Sequence, residues 1–179
     1  MKKTLIFFGL SLAMWLFVSC KDDHPHAHNE QELITKVVLT LTKGGTIAAK
    51  ATFSDKDGIG GTAPIVEGLK LDANATYDGK IEFFDESKNP VVDVTKEILK
   101  EKESHQVFYV PLPADLMTIT YKDKDAQNLP VGLSIEVKTG RAGVGKLTVT
   151  LKHDLNKRAP NPIATGETDV EVTFPVEVK

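Results

Sequence analysis

The chain has 179 residues, 41% of them hydrophobic and 26% charged, with 22 basic and 25 acidic side chains and a single cysteine. This is the composition of one ordinary globular domain with room for a tail. Its mild acidity, with no run of Lys or Arg among aromatics, excludes the clustered positive field that a nucleic-acid partner needs, and one cysteine excludes an internal disulfide.

Residues 1–20 read MKKTLIFFGLSLAMWLFVSC. Two lysines, an apolar run over 5–18 and the small Ser19 ahead of Cys20 have the layout of a signal peptide, and the run is short for a membrane span. The end of this segment resembles a lipobox, in which a diacylglycerol is attached to the cysteine before the signal is cut. Phe17 stands where leucine is usual, with Leu16 one place further back. Acylation of Cys20 (palmitate-type chains) accounts for a lone cysteine in an exported protein and supplies enough buried CH₂ groups for stable anchoring. Cleavage removes Lys2 and Lys3, which leaves 20 basic against 25 acidic side chains and a net charge of −5. Lys21, Asp22 and Asp23 then resemble the short export tag of surface-exposed lipoproteins in the Bacteroidota. The expected location is the outer membrane, lipid-anchored and facing outwards, with the periplasmic face as the alternative.

The segment 20–31 is polar, has no hydrophobic period and contains Pro25, so it reads as a tether. Three histidines stand in it at alternate positions, His24, His26 and His28. Behind Asp22 and Asp23 they resemble a short metal-capturing tract, in which neutral imidazoles suit a divalent transition metal such as zinc or copper.

From residue 32 onwards short β-like runs alternate with turn signals. The β-branched stretch 32–42 is followed by Lys43-Gly44-Gly45-Thr46 and by alternating Ile47, Ala49, Ala51 and Phe53, which together predict a hairpin. Further strands are predicted over 65–71, 77–84, 106–110, 117–121, 131–138, 146–153 and 169–178. The spacing of Val91, Val94 and Ile98 predicts one helix, capped by Asp93 and ending near Ser104. Eight or nine strands with polar connections and a single helix make the expected fold class all-β. The predicted architecture is an antiparallel β-sandwich over 32–179, immunoglobulin-like in general plan, with a lipid-binding type of barrel as the alternative.

Catalytic signatures are missing: the sequence has no G-x-S-x-G, no phosphate loop, no H-E-x-x-H and no G-x-G-x-x-G after a strand. No catalytic residues are therefore expected. Asp55-Lys-Asp57-Gly58 and Asp123-Lys-Asp125 begin like oxygen-ligand loops for calcium, but turn chemistry favours the same residues. His105 and His153 stand at predicted strand ends. They form a second metal site only if the fold joins those ends, and otherwise are strand-terminal polar residues.

Asp85-Glu-Ser-Lys-Asn-Pro, His105-Gln-Val-Phe-Tyr, Leu151-Lys-His153 and Gly166-Glu-Thr-Asp-Val-Glu-Val-Thr-Phe-Pro175 resemble stretches of a group of Bacteroidota outer-membrane and surface lipoproteins. Some members carry a periplasmic-binding-fold label, which implies two α/β lobes and several hundred residues and does not suit this length. The resemblance implies a β-rich surface or periplasmic lipoprotein and no catalytic residues. The expected function is a non-enzymatic, lipid-anchored binding protein, an accessory in metal or nutrient acquisition beside an outer-membrane import receptor. The alternative is a structural or adhesive surface module that binds a protein or glycan.

Overall fold

Strict alternation of apolar and polar residues decides which way each strand faces, because successive side chains on a strand point to opposite sides. In β1 (Lys36–Lys43), Val37, Leu39 and Leu41 are buried; in β5 (Thr76–Asp85), Tyr77, Ile81 and Phe83 are. In β10 (Gly143–His153) the buried row is Leu147, Val149 and Leu151, and in β11 (Glu167–Val178) it is Val172, Phe174, Val176 and Val178. These rows close on one another as a single core. The computed structural model describes residues 33–58 and 61–179. The predicted signal, Cys20, the tag at Lys21, Asp22 and Asp23, and the tether histidines His24, His26 and His28 lie outside the described residues.

The larger sheet runs β3 (Ile65–Glu67), β2 (Thr46–Ser54), β1, β5, β9 (Ser134–Thr139), β8 (Met117–Tyr121), with β6 (Val92–Asp93) paired to β5. The smaller runs β4 (Leu69–Leu71), β11, β10, β7 (His105–Leu112). All pairings between these strands are antiparallel except that of β4 with β11. The fold is the all-β antiparallel sandwich that the periodicity predicts, immunoglobulin-like in general plan, with one short helix, α1 (Thr95–Lys100). The hairpin between β1 and β2 turns where predicted, with Gly44 at φ 59° and Gly45 at φ 81°.

Two local expectations are corrected. The predicted strand 65–71 is two strands in different sheets, and Gly68 between them lies against β11 so closely that a Cβ would collide with the Pro175 carbonyl oxygen. The helix is shorter than its periodicity suggests, and Asp93 does not cap it. Asp93 is held extended opposite Phe84, so Val94 takes the cap position without a side-chain hydrogen bond. At the other end Glu101 leaves the helix at φ −102°, ψ 30° so that the chain can enter β7 at His105.

The Asp-rich loops are turns. Asp57 accepts the Thr62 N–H at 2.8 Å, and Asp123 accepts the N–H groups of Gly132, Leu133 and Ser134. Asp125 accepts those of Gln127 and Leu129 and is ion-paired with Lys157 at 3.0 Å, the two side chains only 1% and 3% exposed. Lys157 Nζ also donates to the Lys102 carbonyl at 2.6 Å and the Pro130 carbonyl at 3.1 Å. One buried ammonium thus ties the segment after α1 to two other loops. Removing one partner of such a pair strands a desolvated charge, so Lys157→Met is expected to lower stability by about 3–5 kcal/mol. Urea unfolding of the two proteins checks this, and a loss under about 1 kcal/mol would class the pair with exposed salt bridges.

Candidate metal centre

The pairing of β7 with β10 runs in unbroken register from Lys146 opposite Leu112 to His153 opposite His105. The two histidines are therefore the last cross-strand pair, and directly opposed residues on one face are close enough to touch. Their rings stack with centroids 4.4 Å apart and planes 8° from parallel. They share the parity of Val107 and Tyr109 on one strand and of Leu151 on the other, so they continue the core row rather than the solvent row. His105 is 2% exposed and His153 8%.

A carboxylate reaches the neighbourhood of His105 through an irregularity. Between β10 and β11 the register passes from Leu151 opposite Val170 to Lys152 opposite Thr168, which leaves Asp169 as an extra residue in β11. Such a bulge re-aims a side chain. Asp169 consequently points inward, its side chain 5% exposed, with Oδ2 at 3.7 Å from His105 Nε2. Gly166, at φ 66°, permits the close approach of this strand start: a Cβ there would collide with the His153 carbonyl oxygen. Lys152 Nζ fastens the same corner by donating to the Gly166 carbonyl and the Thr168 hydroxyl, each at 3.0 Å.

Glu101, not Asp169, is the third member of the cluster with His105 and His153. Its backbone carbonyl lies 3.0 Å from His105 Nδ1. A carbonyl only accepts, so Nδ1 carries the proton, and the Nε2 lone pair of the neutral ring is left on the side of Asp169. A ligand oxygen of Glu101, a ring nitrogen of His105 and one of His153 all lie within 4.8 Å of one another, with Glu101 exposed. His153 Nε2 is in addition 3.3 Å from Asp154 Oδ1 at the surface.

Burial holds the His105 imidazole below its ordinary pKa of 6.5, against the opposing pull of the Glu101 carbonyl. Burial also pushes the Asp169 carboxyl above its ordinary 3.8, which the nearby His105, His153 and Lys152 only partly offset. His105 Nε2 and Asp169 Oδ2, at 3.7 Å, lie beyond hydrogen-bond reach of one another. Around a tetrahedral zinc-type ion with bonds near 2.0–2.1 Å, neighbouring ligand atoms are roughly 3.3 Å apart, so the atoms of Glu101, His105 and His153, spread over up to 4.8 Å, must draw together for one ion to bind all three. The stacked rings hold their lone pairs in nearly parallel planes, and one ion bound by both requires one ring to tilt.

Of the sequence candidates, the fold brings His105 and His153 together. His24, His26 and His28 lie outside the described residues. Sequence reasoning missed Glu101 and Asp169. Glu101 had a faint signal in its place four residues before His105; Asp169 had none, because a bulge is not written in alternation.

No family model matches the chain, and no curated protein matches it. Among solved structures the chain is similar to the S-layer protein SbsC, domains 4 and 5, with 13% identity and a TM-score of 0.33. The match covers 74% of this chain and 66% of that one, just under two thirds of its length.

The depressed His105 pKa has a consequence for stability. The unfolded chain binds a proton at His105 more readily than the folded one, so its contribution is present above pH 6.5 and is lost as pH falls through the folded value. The raised Asp169 pKa acts in the opposite sense, adding stability as pH falls towards 3.8. Metal-free protein is expected to lose urea resistance between about pH 7.5 and 5.5, and His105→Gln to flatten that slope. Equal slopes in the two proteins would mean that His105 is not held neutral.

Proposed function

We propose that this chain is a lipid-anchored, non-enzymatic metal-binding module of the bacterial outer membrane, an accessory to the acquisition of a divalent transition metal such as zinc or copper. The observation that carries the reading is the stacked His105–His153 pair with Glu101 beside it. Imidazole nitrogens and carboxylate oxygens are the donor set that suits zinc, copper(II) and nickel. A neutral, buried imidazole presents a lone pair at physiological pH without first losing a proton. The lipobox-like end at Cys20, the tag-like Lys21-Asp22-Asp23 and the resemblance to Bacteroidota lipoproteins support a place on the outward face of the outer membrane. The protein would work there beside an import receptor. In this reading His24, His26 and His28 are an additional capture tract, since imidazoles suit the same class of metal.

The experiment is calorimetric titration with zinc and with copper of the mature chain carrying Cys20→Ala, which keeps it in solution. The His24, His26, His28→Ala variant is expected to keep one site, and the His105, His153→Ala variant to lose it. If only the tether variant loses binding, the sandwich site is wrong. If the parent binds neither metal, the domain is better described as a structural or adhesive module. The anchor has its own test: Cys20→Ala should move the protein from the detergent to the aqueous phase, and equal partitioning would exclude lipid on that residue.

A further inference from the structure

A cleft of about 410 Å³ lies between the end of β2 and the start of β11, and the carboxyl groups of Asp55, Asp169 and Glu171 line it. Its volume is that of a small-ligand site. Ile34, Phe53 and Val170, all packed against the core, form its apolar wall. Among the described residues no basic side chain lines it. Two of the carboxyls are short of donors. Asp55 Oδ1 is buried and has no hydrogen-bond partner among the described residues. The Asp169 side chain is 5% exposed, and at 3.7 Å its Oδ2 is beyond hydrogen-bond reach of His105 Nε2. Lys152, the ammonium at the same corner, donates instead to the Gly166 carbonyl and the Thr168 hydroxyl. A desolvated carboxylate oxygen without a donor costs free energy, which a donor-bearing cation recovers.

The spacing separates one kind of cation from another. A bare metal ion gathers its ligand atoms into one small shell. Among the described residues the one group drawn together in that way is Glu101, His105 and His153, so the carboxyls of the cleft are too dispersed for a single ion. An ammonium or guanidinium reaches further, because its several N–H donors serve separate acceptors. Its alkyl stem lies along apolar surface while the head stays polar, and an aromatic side chain such as Phe53 attracts organic cations.

We infer that this cleft binds an organic cation, an ammonium or guanidinium on an alkyl stem, with Asp55 and Asp169 taking the head and Ile34, Phe53 and Val170 the stem. Glu171 forms the exposed rim, with Oε2 already accepting the Thr150 hydroxyl at 3.0 Å. Neither His105 nor His153 lines the cleft, so the inference stands apart from the metal-binding reading. Two sources carry this chemistry, a free diamine and the lysine or arginine side chain of a partner protein.

The test is an amide-shift titration by NMR of the isotope-labelled mature chain with Cys20→Ala. The probes are cadaverine, a lysine blocked at both backbone ends, and pentanol as the uncharged control. Saturable shifts at the amides of Asp55, Val170 and Glu171 are expected with at least one of the two cations and not with pentanol. Binding of cadaverine alone assigns a free amine, and tighter binding of the blocked lysine assigns a protein side chain. Asp55→Asn is expected to weaken binding by about tenfold or more, the effect of losing a hydrogen bond to a charged group. Asp55 is only partly buried and Glu171 exposed, so Asp55→Asn and Glu171→Gln test the cleft without disturbing Asp169 beside the histidines. Glu171→Gln is expected to cost less than Asp55→Asn. No saturable shift with either cation, equal binding of pentanol, or an Asp55→Asn variant that binds as the parent does would overturn the inference.

Discussion

The register between β7 and β10 is the constraint on which the site depends. A strand has a side-chain period of two, so a slip by one residue would turn His105 or His153 to the opposite face of the sheet. What fixes the register is the core itself. Val107 and Tyr109 on β7 and Leu147, Val149 and Leu151 on β10 must all point inward at once, and the histidines inherit their direction from them. Each fully buried side chain of this kind stabilises the fold by about 1.5–3 kcal/mol. Several of them together outweigh the cost of two polar rings at the end of the row.

That cost is real, because a buried polar group needs a partner or a cation. His105 has the Glu101 carbonyl on one nitrogen and Asp169 beyond hydrogen-bond distance on the other. The surroundings are stiff where this matters. Lys157 ties the Lys102 carbonyl to Asp125 and to Pro130, and so constrains the short run between Glu101 and His105. Lys152 and Gly166 fix the other side, where β11 begins. Both sides of the histidine pair are thus tied by buried lysines, while Glu101 beside it is exposed.

Much of the fold was legible because the core rows are written in clean alternation. Val170, Val172, Phe174 and Val176 predict a half-buried strand, and Gly44-Gly45 predicts the turn that joins β1 to β2. The split at Gly68 was not legible, since 65–71 reads as one β-like run and only the approach of Pro175 shows why the chain changes sheet there. The helix was overextended at its C-terminal end, because Lys100-Glu-Lys-Glu-Ser104 contains no helix breaker, whereas the chain leaves the helix at Glu101 to enter β7 at His105. For the site, the parity of His105 with Val107 and of His153 with Leu151 was open to reading. What brings the two histidines together is the pairing of two distant strands, and what adds Asp169 is a one-residue bulge. Both are properties of the assembled sheet.

The most direct test of the account is a crystal structure of zinc-loaded protein with diffraction recorded on both sides of the zinc absorption edge. The account predicts one anomalous peak within bonding distance of a ring nitrogen of His105 and one of His153, with a carboxylate oxygen of Glu101 beside them and one imidazole tilted out of the stack. Rings still stacked, with no peak between these three residues, would contradict it.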